Sequence, residues 1–148
     1  AEEKSRYATI AELIRQRGTR HPHVLDAGCG SGRLASEFSS GELGAYQGVD
    51  LSHEALRLAR LAIPAPAVFT QGDLETWQPT DRFDVIVINE VVGYFHDPAK
   101  TLTRLSHALQ PGGVIIVSLY RWGNSVAIWR RIEARFTVAP SAQVIAFR

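Results

Sequence analysis

Asp26, Asp50 and Asp73 each stand at or just beyond the end of a short apolar run, and the first of them leads into the glycines Gly28, Gly30 and Gly32. Glycines at alternate positions let the backbone turn sharply and let a ligand come close to the main chain, because no Cβ intervenes. What such a loop can hold depends on the charge beside it. A pyrophosphate would be repelled by a carboxylate at the end of the preceding strand, and Asp26 stands there, two residues before the first glycine. An acid in that place suits a ligand with a positive group, such as an amine or a sulfonium. A fourth apolar run, Phe83 to Ile88, closes on Asn89-Glu90.

These residues can act together only if the elements that carry them converge. Val24-Leu25-Asp26-Ala27 reads as a strand, the glycines as a tight loop, and Leu34 and Phe38, four apart, as a helix that runs to the stop signal Ser39-Ser40-Gly41. Ahead of them, Ile10, Leu13 and Ile14 form an apolar stripe at helical spacing, ended by Gly18. Tyr46-Gln47-Gly48-Val49-Asp50 is a second strand. Ser52 caps a helix with Ala55, Leu58, Ala59 and Ala62 on one face, broken by Pro64 and Pro66. Ala67-Val68-Phe69-Thr70 is a third strand, leading to Gly72-Asp73.

Phe83 to Ile88 lacks polar alternation after Asp84, the pattern of a central strand covered on both faces. Asp97-Pro98 opens a helix with Leu102, Leu105 and Leu109 on one face, and Pro111-Gly112-Gly113 ends it before a fifth strand, Val114 to Ser118. A shorter helix follows around Ile128, Trp129 and Ile132. Phe136-Thr137-Val138 and Val144-Ile145-Ala146-Phe147 read as a closing antiparallel hairpin. Strands alternating with helices predict an α/β fold, a single doubly wound and mostly parallel sheet with helices on both faces. In such a sheet the strand ends named above share one rim, where ligands bind. Polar residues end strands and cap helices in any protein; the arrangement of four such ends with a glycine loop is what singles these out.

With its acid before a Gly-x-Gly-x-Gly loop, this chain resembles the class I methyltransferases that use S-adenosylmethionine, and the later motifs follow in the family's order from Tyr7 to Phe147. The resemblance implies a Rossmann-like methyltransferase domain over residues 1–148. It implies that Asp26 and the backbone of Gly28, Cys29 and Gly30 hold the methionine part of the cofactor and that Asp50 accepts hydrogen bonds from both ribose hydroxyls. Leu51 would lie against the adenine, Asp73 and Leu74 at its amino edge, and Asn89 near the methionine amine and the transferable methyl. Leu109 to Gly113 resembles the family's late motif and also serves as a helix stop. Glu90, Tyr94 and His96, just beyond the fourth strand, are the candidates to face the acceptor, and His96 is the candidate base because its ordinary pKa lies near neutrality. Family members that methylate nucleobase amino groups carry Asn/Asp-Pro-Pro-Tyr/Phe after this strand. Asn89-Glu90-Val91-Val92 departs from that motif, which points to a small-molecule acceptor.

A nicotinamide-dependent oxidoreductase is the rival, since Gly30-x-Gly32-x-x-Ala35 also satisfies a dinucleotide fingerprint with an acid about 20 residues on. Asp26 and Asp73 count against it. The brevity of the segment between the fifth strand and the hairpin motivates a third reading, a module that binds the cofactor without turning it over. Composition sets the remaining bounds. The chain has 148 residues, 45% hydrophobic and 21% charged, with a net charge of +1, so it makes one domain and offers no basic surface for nucleic acid. A lone cysteine fits a reducing cytoplasm, His21-Pro22-His23 lacks a third metal ligand, and no apolar run spans a bilayer. Methionine is absent even at position 1, and the expectation is a piece of something longer. Oligomeric state is left open.

Overall fold

The apolar runs pair side by side. The computed structural model describes residues 2–120 and 123–137. Strands β1 (His23–Ala27), β2 (Ala45–Asp50), β3 (Val68–Gln71), β4 (Phe83–Asn89) and β5 (Leu109–Ser118) form one sheet. Its order is β3-β2-β1-β4-β5, and every pairing is parallel. The chain winds outward from β1 to β3, then returns beside β1 and winds the other way. The reversal falls between β1 and β4, which is the doubly wound arrangement.

Successive strand residues point to opposite faces, and the sheet has two cores accordingly. On one face Val24, Tyr46, Val85 and Val87 meet Ile10, Ala11 and Ile14 of α1 (Glu2–Gln16) and Leu56 and Ala59 of α2 (His53–Ala62). On the other, Leu25, Ala27, Val49, Ile86 and Ile88 meet Leu102 and Leu105 of α3 (Pro98–Ser106) and Ile128 and Ile132 of α4 (Ser125–Glu133). The helix starts are those read from sequence. Ser52 Oγ accepts the Ala55 N–H at 3.2 Å, and Asp97 Oδ1 accepts the Lys100 N–H at 3.2 Å with Pro98 in the first turn.

Several elements differ from the sequence reading. The helix predicted after the glycine loop is a single 3-10 turn, Ala35–Glu37. Gly32 holds a φ of +79° where the first helical turn would form, and Ser36 Oγ bonds back to the Arg33 carbonyl at 2.7 Å, a local bond that competes with a longer helix. In α2 the buried residues are Leu56 and Ala59, while Leu58 is 44% exposed. The stripe is one position out because the helix turns Leu56 toward Phe69 and the sheet. The third helix stops at Ser106, and Leu109 to Gly113 belongs to β5 as a bulge: Phe83 pairs with Leu109, yet Val85 pairs with Val114. Gly112, at φ +78°, absorbs the extra residues. Of the expected C-terminal hairpin, residues 138–148 lie outside the described residues. Phe136 and Thr137 belong to no strand, and the Phe136 N–H bonds back to the Ile132 carbonyl. Trp122 also lies outside the described residues, whereas Trp77 and Trp129 pack against the second core. No helix among the described residues is long and apolar enough to cross a membrane.

Ile86 is fully buried in β4 between neighbouring strands on both sides. Ile86→Ala should lower the unfolding free energy by about 2–5 kcal/mol, read from urea titration followed by circular dichroism; a loss under about 1 kcal/mol would show that this layer repacks without a cavity.

Candidate functional site

All five strands run the same way, so their carboxyl ends make one rim, and the glycine loop crosses it. Gly28, Gly30 and Gly32 have φ values of +88°, +52° and +79°, the left-handed region that glycine enters without a Cβ penalty. The N–H groups of Gly28 and Cys29 both donate to the Val49 carbonyl, at 2.7 and 3.1 Å, which hangs the loop over the end of β2. Two of the glycines answer different needs. A Cβ on Gly28 would lie 2.5 Å from Val91 Cγ1, whereas one on Gly30 would meet nothing within 4 Å. Gly28 is therefore a packing contact with the turn after β4, and Gly30 presents bare backbone to open space at the rim.

Asp50 ends β2 and ties the loop down. Its Oδ2 accepts the Gly30 N–H at 2.8 Å and its Oδ1 accepts the Ser52 N–H at 2.8 Å. A carboxylate has about four acceptor sites, so two remain on this side chain. Leu51, next in the chain, is 69% exposed beside it, an apolar side chain held in water at the rim.

Asp26 is the penultimate residue of its strand, where the sequence suggested the last. The strand runs on through Ala27, and the Asp26 carboxylate is buried beneath the loop on the α1 face, accepting the Tyr46 hydroxyl at 2.5 Å on Oδ2. Burial pushes its pKa up to about 7, the Tyr46 bond opposes that, and the charge of Asp50 adds to it. Asp26 is thus a buried carboxyl with the Tyr46 hydroxyl as its partner. Cys29 is buried as well, and desolvation raises its thiol pKa far above the ordinary value, so it contributes backbone and no nucleophile.

Asp73 begins the turn after β3. Its Oδ1 accepts the Glu75 N–H at 2.9 Å and its carbonyl accepts the N–H groups of Thr76 and Trp77. Leu74 is buried in the second core. This turn is held from outside by Arg104 of α3, whose guanidinium donates to the Leu74 and Trp77 carbonyls and whose pKa is lowered by burial. At the end of β4, Asn89 is buried with its Oδ1 accepting the Ser118 hydroxyl at 2.5 Å. Glu90 takes a φ of +61°, strained for a residue with a Cβ. Its Oε2 accepts the Tyr120 N–H at 2.6 Å, while its Oε1 lies 3.1 Å from Ser118 Oγ, the hydroxyl shared with Asn89, and 3.8 Å from Arg6 Nη1 of α1.

The three acceptor-side candidates separate. Tyr94, in the 3-10 turn Val92–Tyr94, is 83% exposed. His96 is exposed too, with Nδ1 2.7 Å from Glu75 Oε2 and its backbone N–H on Glu75 Oε1 at 2.8 Å. That partner raises the histidine pKa and lowers the glutamate's, which favours the charged pair. Its evident work is to join the turn after β3 to the turn after β4. Glu90 is likewise engaged, by the end of β5.

The rim therefore gathers Gly28, Gly30, Asp50, Leu51, Asp73, Asn89, Glu90, Tyr94 and His96, with Asp26, Cys29 and Leu74 buried beneath it. Sequence reading missed Tyr46, Glu75, Arg104, Ser118 and Arg6. Each is far in sequence from the group it engages, and no local pattern announces a long-range hydrogen bond. Among the described residues no group of three or more His, Cys, Asp or Glu side chains could hold a metal ion.

Comparison with known proteins gives matches over the same span. A family model described as a methyltransferase domain matches residues 2–138. The chain is 37% identical over 102 residues to the trans-aconitate 2-methyltransferase of Azoarcus sp. (strain BH72), covering 66% of this chain and 39% of that protein. It is 31% identical over 112 residues to the dTDP-3-amino-3,4,6-trideoxy-alpha-D-glucopyranose N,N-dimethyltransferase of Streptomyces venezuelae, covering 73% and 46%. Among solved structures, a TehB-like SAM-dependent methyltransferase from Corynebacterium glutamicum aligns with a TM-score of 0.71 at 27% identity, covering 84% of this chain and 70% of that one. The chain spans less than half the length of these two curated relatives.

The raised pKa of Asp26 has a consequence for stability. Between its unfolded value near 4 and about 7 the folded state holds the proton more tightly, so the contribution is full below pH 4 and is lost as pH climbs to about 7. Asp26→Asn should remove this loss, on the order of a few kcal/mol. Urea titrations of both proteins at pH 4.5, 6 and 8 (chosen to bracket about 4 to 7) check it; parallel pH profiles would show that Asp26 titrates normally.

Proposed function

We infer the function from one premise: this chain belongs to the methyltransferase-domain family of S-adenosylmethionine-dependent enzymes. On that footing, the chain binds S-adenosylmethionine along the rim and catalyses methylation of a small-molecule acceptor. The observation that carries the reading is Asp50 together with Gly30. Their mutual hydrogen bond fixes a carboxylate with two acceptor sites to spare beside a stretch of backbone that faces open space. A ligand with adjacent hydroxyls and no phosphate fits both. A diphosphate would be set against the Asp50 carboxylate.

The residues divide the work as follows. Asp50 accepts from the two ribose hydroxyls, and Leu51 offers its exposed side chain to the adenine, with Asp73 and the Leu74 backbone at the amino edge. Gly28, Cys29 and Gly30 hold the methionine part through their main chain, and Asn89 closes the pocket near the amine. Asp26 acts through Tyr46 and the loop, as a positioning residue. When bound, the cofactor supplies a methyl group on a sulfonium, delivered to the acceptor by in-line displacement. The chain's task is then to hold the acceptor in line and keep water out. Tyr94 stands on the acceptor side. Glu90 and His96 position the turns that frame it, and a proton acceptor is needed only for an acceptor that arrives protonated.

Small-molecule acceptors agree with relatives named for trans-aconitate and for an amino sugar. The net charge of +1 and the absence of Pro-Pro after Asn89 support a reading without nucleic acid. The lone cysteine supports a cytoplasmic setting.

Calorimetry with S-adenosylmethionine, S-adenosylhomocysteine and NADH tests the reading: the first two should bind and NADH should not, and binding of NADH alone would reject it. Asp50→Asn should weaken S-adenosylmethionine by about ten- to a hundredfold, the range for hydrogen bonds to a charged group, with the fold retained by circular dichroism. Unchanged affinity would sink the ribose assignment.

A further inference from the structure

Lys100, Thr103, Arg104 and the capping residue His107 follow one another at i, i+3, i+4 and i+7 along α3, so they share one face of that helix. Arg135 reaches the same face from the end of α4, where its N–H is held on the Ile132 carbonyl at 2.9 Å. With Asp97 they line a cavity of about 410 Å³, within the range of small-molecule sites. Its charge is one-sided. Lys100, Arg104 and Arg135 bring three positive charges, and His107 adds its ring nitrogens. The acid in the lining is already engaged: Asp97 Oδ1 accepts the Lys100 N–H at 3.2 Å and stands 3.6 Å from Arg131 Nη2. Thr103 gives its hydroxyl to the Ala99 carbonyl at 2.7 Å. Among the described residues no carboxylate forms an ion pair with Lys100, Arg104 or Arg135. Arg104 donates to the Leu74 and Trp77 carbonyls, and burial lowers its pKa although the charges of Asp73 and Glu75 act against that. Its charge is therefore half-withdrawn from water and bonded to neutral dipoles. Like charges held in one cavity repel, and an anion between them turns that repulsion into attraction.

We propose that the cavity between α3 and the end of α4 is a binding site for a phosphate-bearing small molecule. None of its lining residues belongs to the rim, so the proposal goes beyond the functional reading above and does not depend on it. A phosphate group carries about two negative charges near neutral pH and three acceptor oxygens, which suits an ammonium and two guanidinium groups brought together from two helices. Arg104 keeps donors for it, since its two carbonyl partners take only part of the five N–H groups on a guanidinium. A single carboxylate brings one charge and leaves the cavity positive. The chain's net charge of +1 provides no extended basic surface along which a nucleic-acid backbone could run, and the enclosed volume suits one phosphate or diphosphate group.

Calorimetry of the unmodified chain with inorganic pyrophosphate tests it, in buffers whose ionic strength is matched with potassium chloride. Binding should saturate below about 10 mM. Lys100→Gln combined with Arg135→Gln should weaken pyrophosphate by about tenfold or more, the range for hydrogen bonds to charged groups. Both side chains are exposed, so the fold should be retained by circular dichroism. Arg20→Gln combined with Arg57→Gln removes the same amount of charge from elsewhere on the surface and should leave the affinity within about twofold. Three results would overturn the proposal: no saturation by about 10 mM, a loss under about twofold in the first pair of substitutions, or an equal loss in the second pair, which would trace the attraction to net charge. A short DNA duplex that binds the unmodified chain more tightly than pyrophosphate, and loses that affinity with Lys100 and Arg135, would give the cavity to nucleic acid and overturn the small-molecule assignment. Each of these outcomes leaves the methyltransferase reading of the rim untouched.

Discussion

Asp50 holds one carboxylate oxygen on the Gly30 N–H and the other on the Ser52 N–H, so one side chain joins the loop after β1 to the start of α2. The consequence reaches further than two hydrogen bonds. The loop carries three glycines at positive φ, a conformation with high backbone entropy to lose, and it needs fixed points to stay in one shape. Val49 O supplies one of them, taking the N–H groups of Gly28 and Cys29, and Asp50 supplies the next. Because β1 and β2 are in register from His23–Ala45 to Ala27–Val49, both fixed points arrive at the level where the loop leaves the sheet. A shift of one residue in that pairing would turn Asp50 to the other face.

The same loop is supported from below by a polar contact in an otherwise apolar layer. Asp26 and Tyr46 bury a carboxylate and a phenol together on the α1 face. Burying an acid there costs stability, which the shifted pKa of about 7 expresses. Gly48, opposite Asp26 in the register, has no side chain, and a Cβ there would meet Cys29 Sγ at 2.7 Å and Phe69 Cδ1 at 2.7 Å. The space that the strand leaves at Gly48 is filled by Cys29 and Phe69. The loop is thus packed from beneath by residues of three strands and the loop itself.

On the far side of the rim the fixed points are side chains that reach across elements. Arg104 of α3 grips the turn that follows β3, His96 and Glu75 join that turn to the one after β4, and Glu90 joins β4 to the end of β5. These bonds differ in exposure and therefore in worth. The His96–Glu75 pair lies in water, where ion pairs contribute little. Glu90 instead takes a backbone N–H, that of Tyr120, on Oε2, which holds its side chain while its backbone keeps the strained left-handed conformation. Strain of this sort gathers where a chain must present a group in one orientation, which here is the side of the rim facing α1.

Local pattern made much of this protein legible. Five strands, the caps at Ser52 and Asp97, the glycine loop and the acids at strand ends can be read because each depends on residues close in sequence, through alternation, capping and the steric freedom of glycine. The doubly wound order followed from handedness and short connections, which apply to any chain with these elements. Tertiary structure decided the rest. It reduced the helix after the loop to one turn, carried Leu109 to Gly113 into β5, paired Asp26 with the Tyr46 hydroxyl and drew Glu90 and His96 into bonds with Tyr120 and Glu75. In each case the competing interaction comes from a residue many positions away, and its strength depends on burial and distance, quantities that exist only once the sheet has closed.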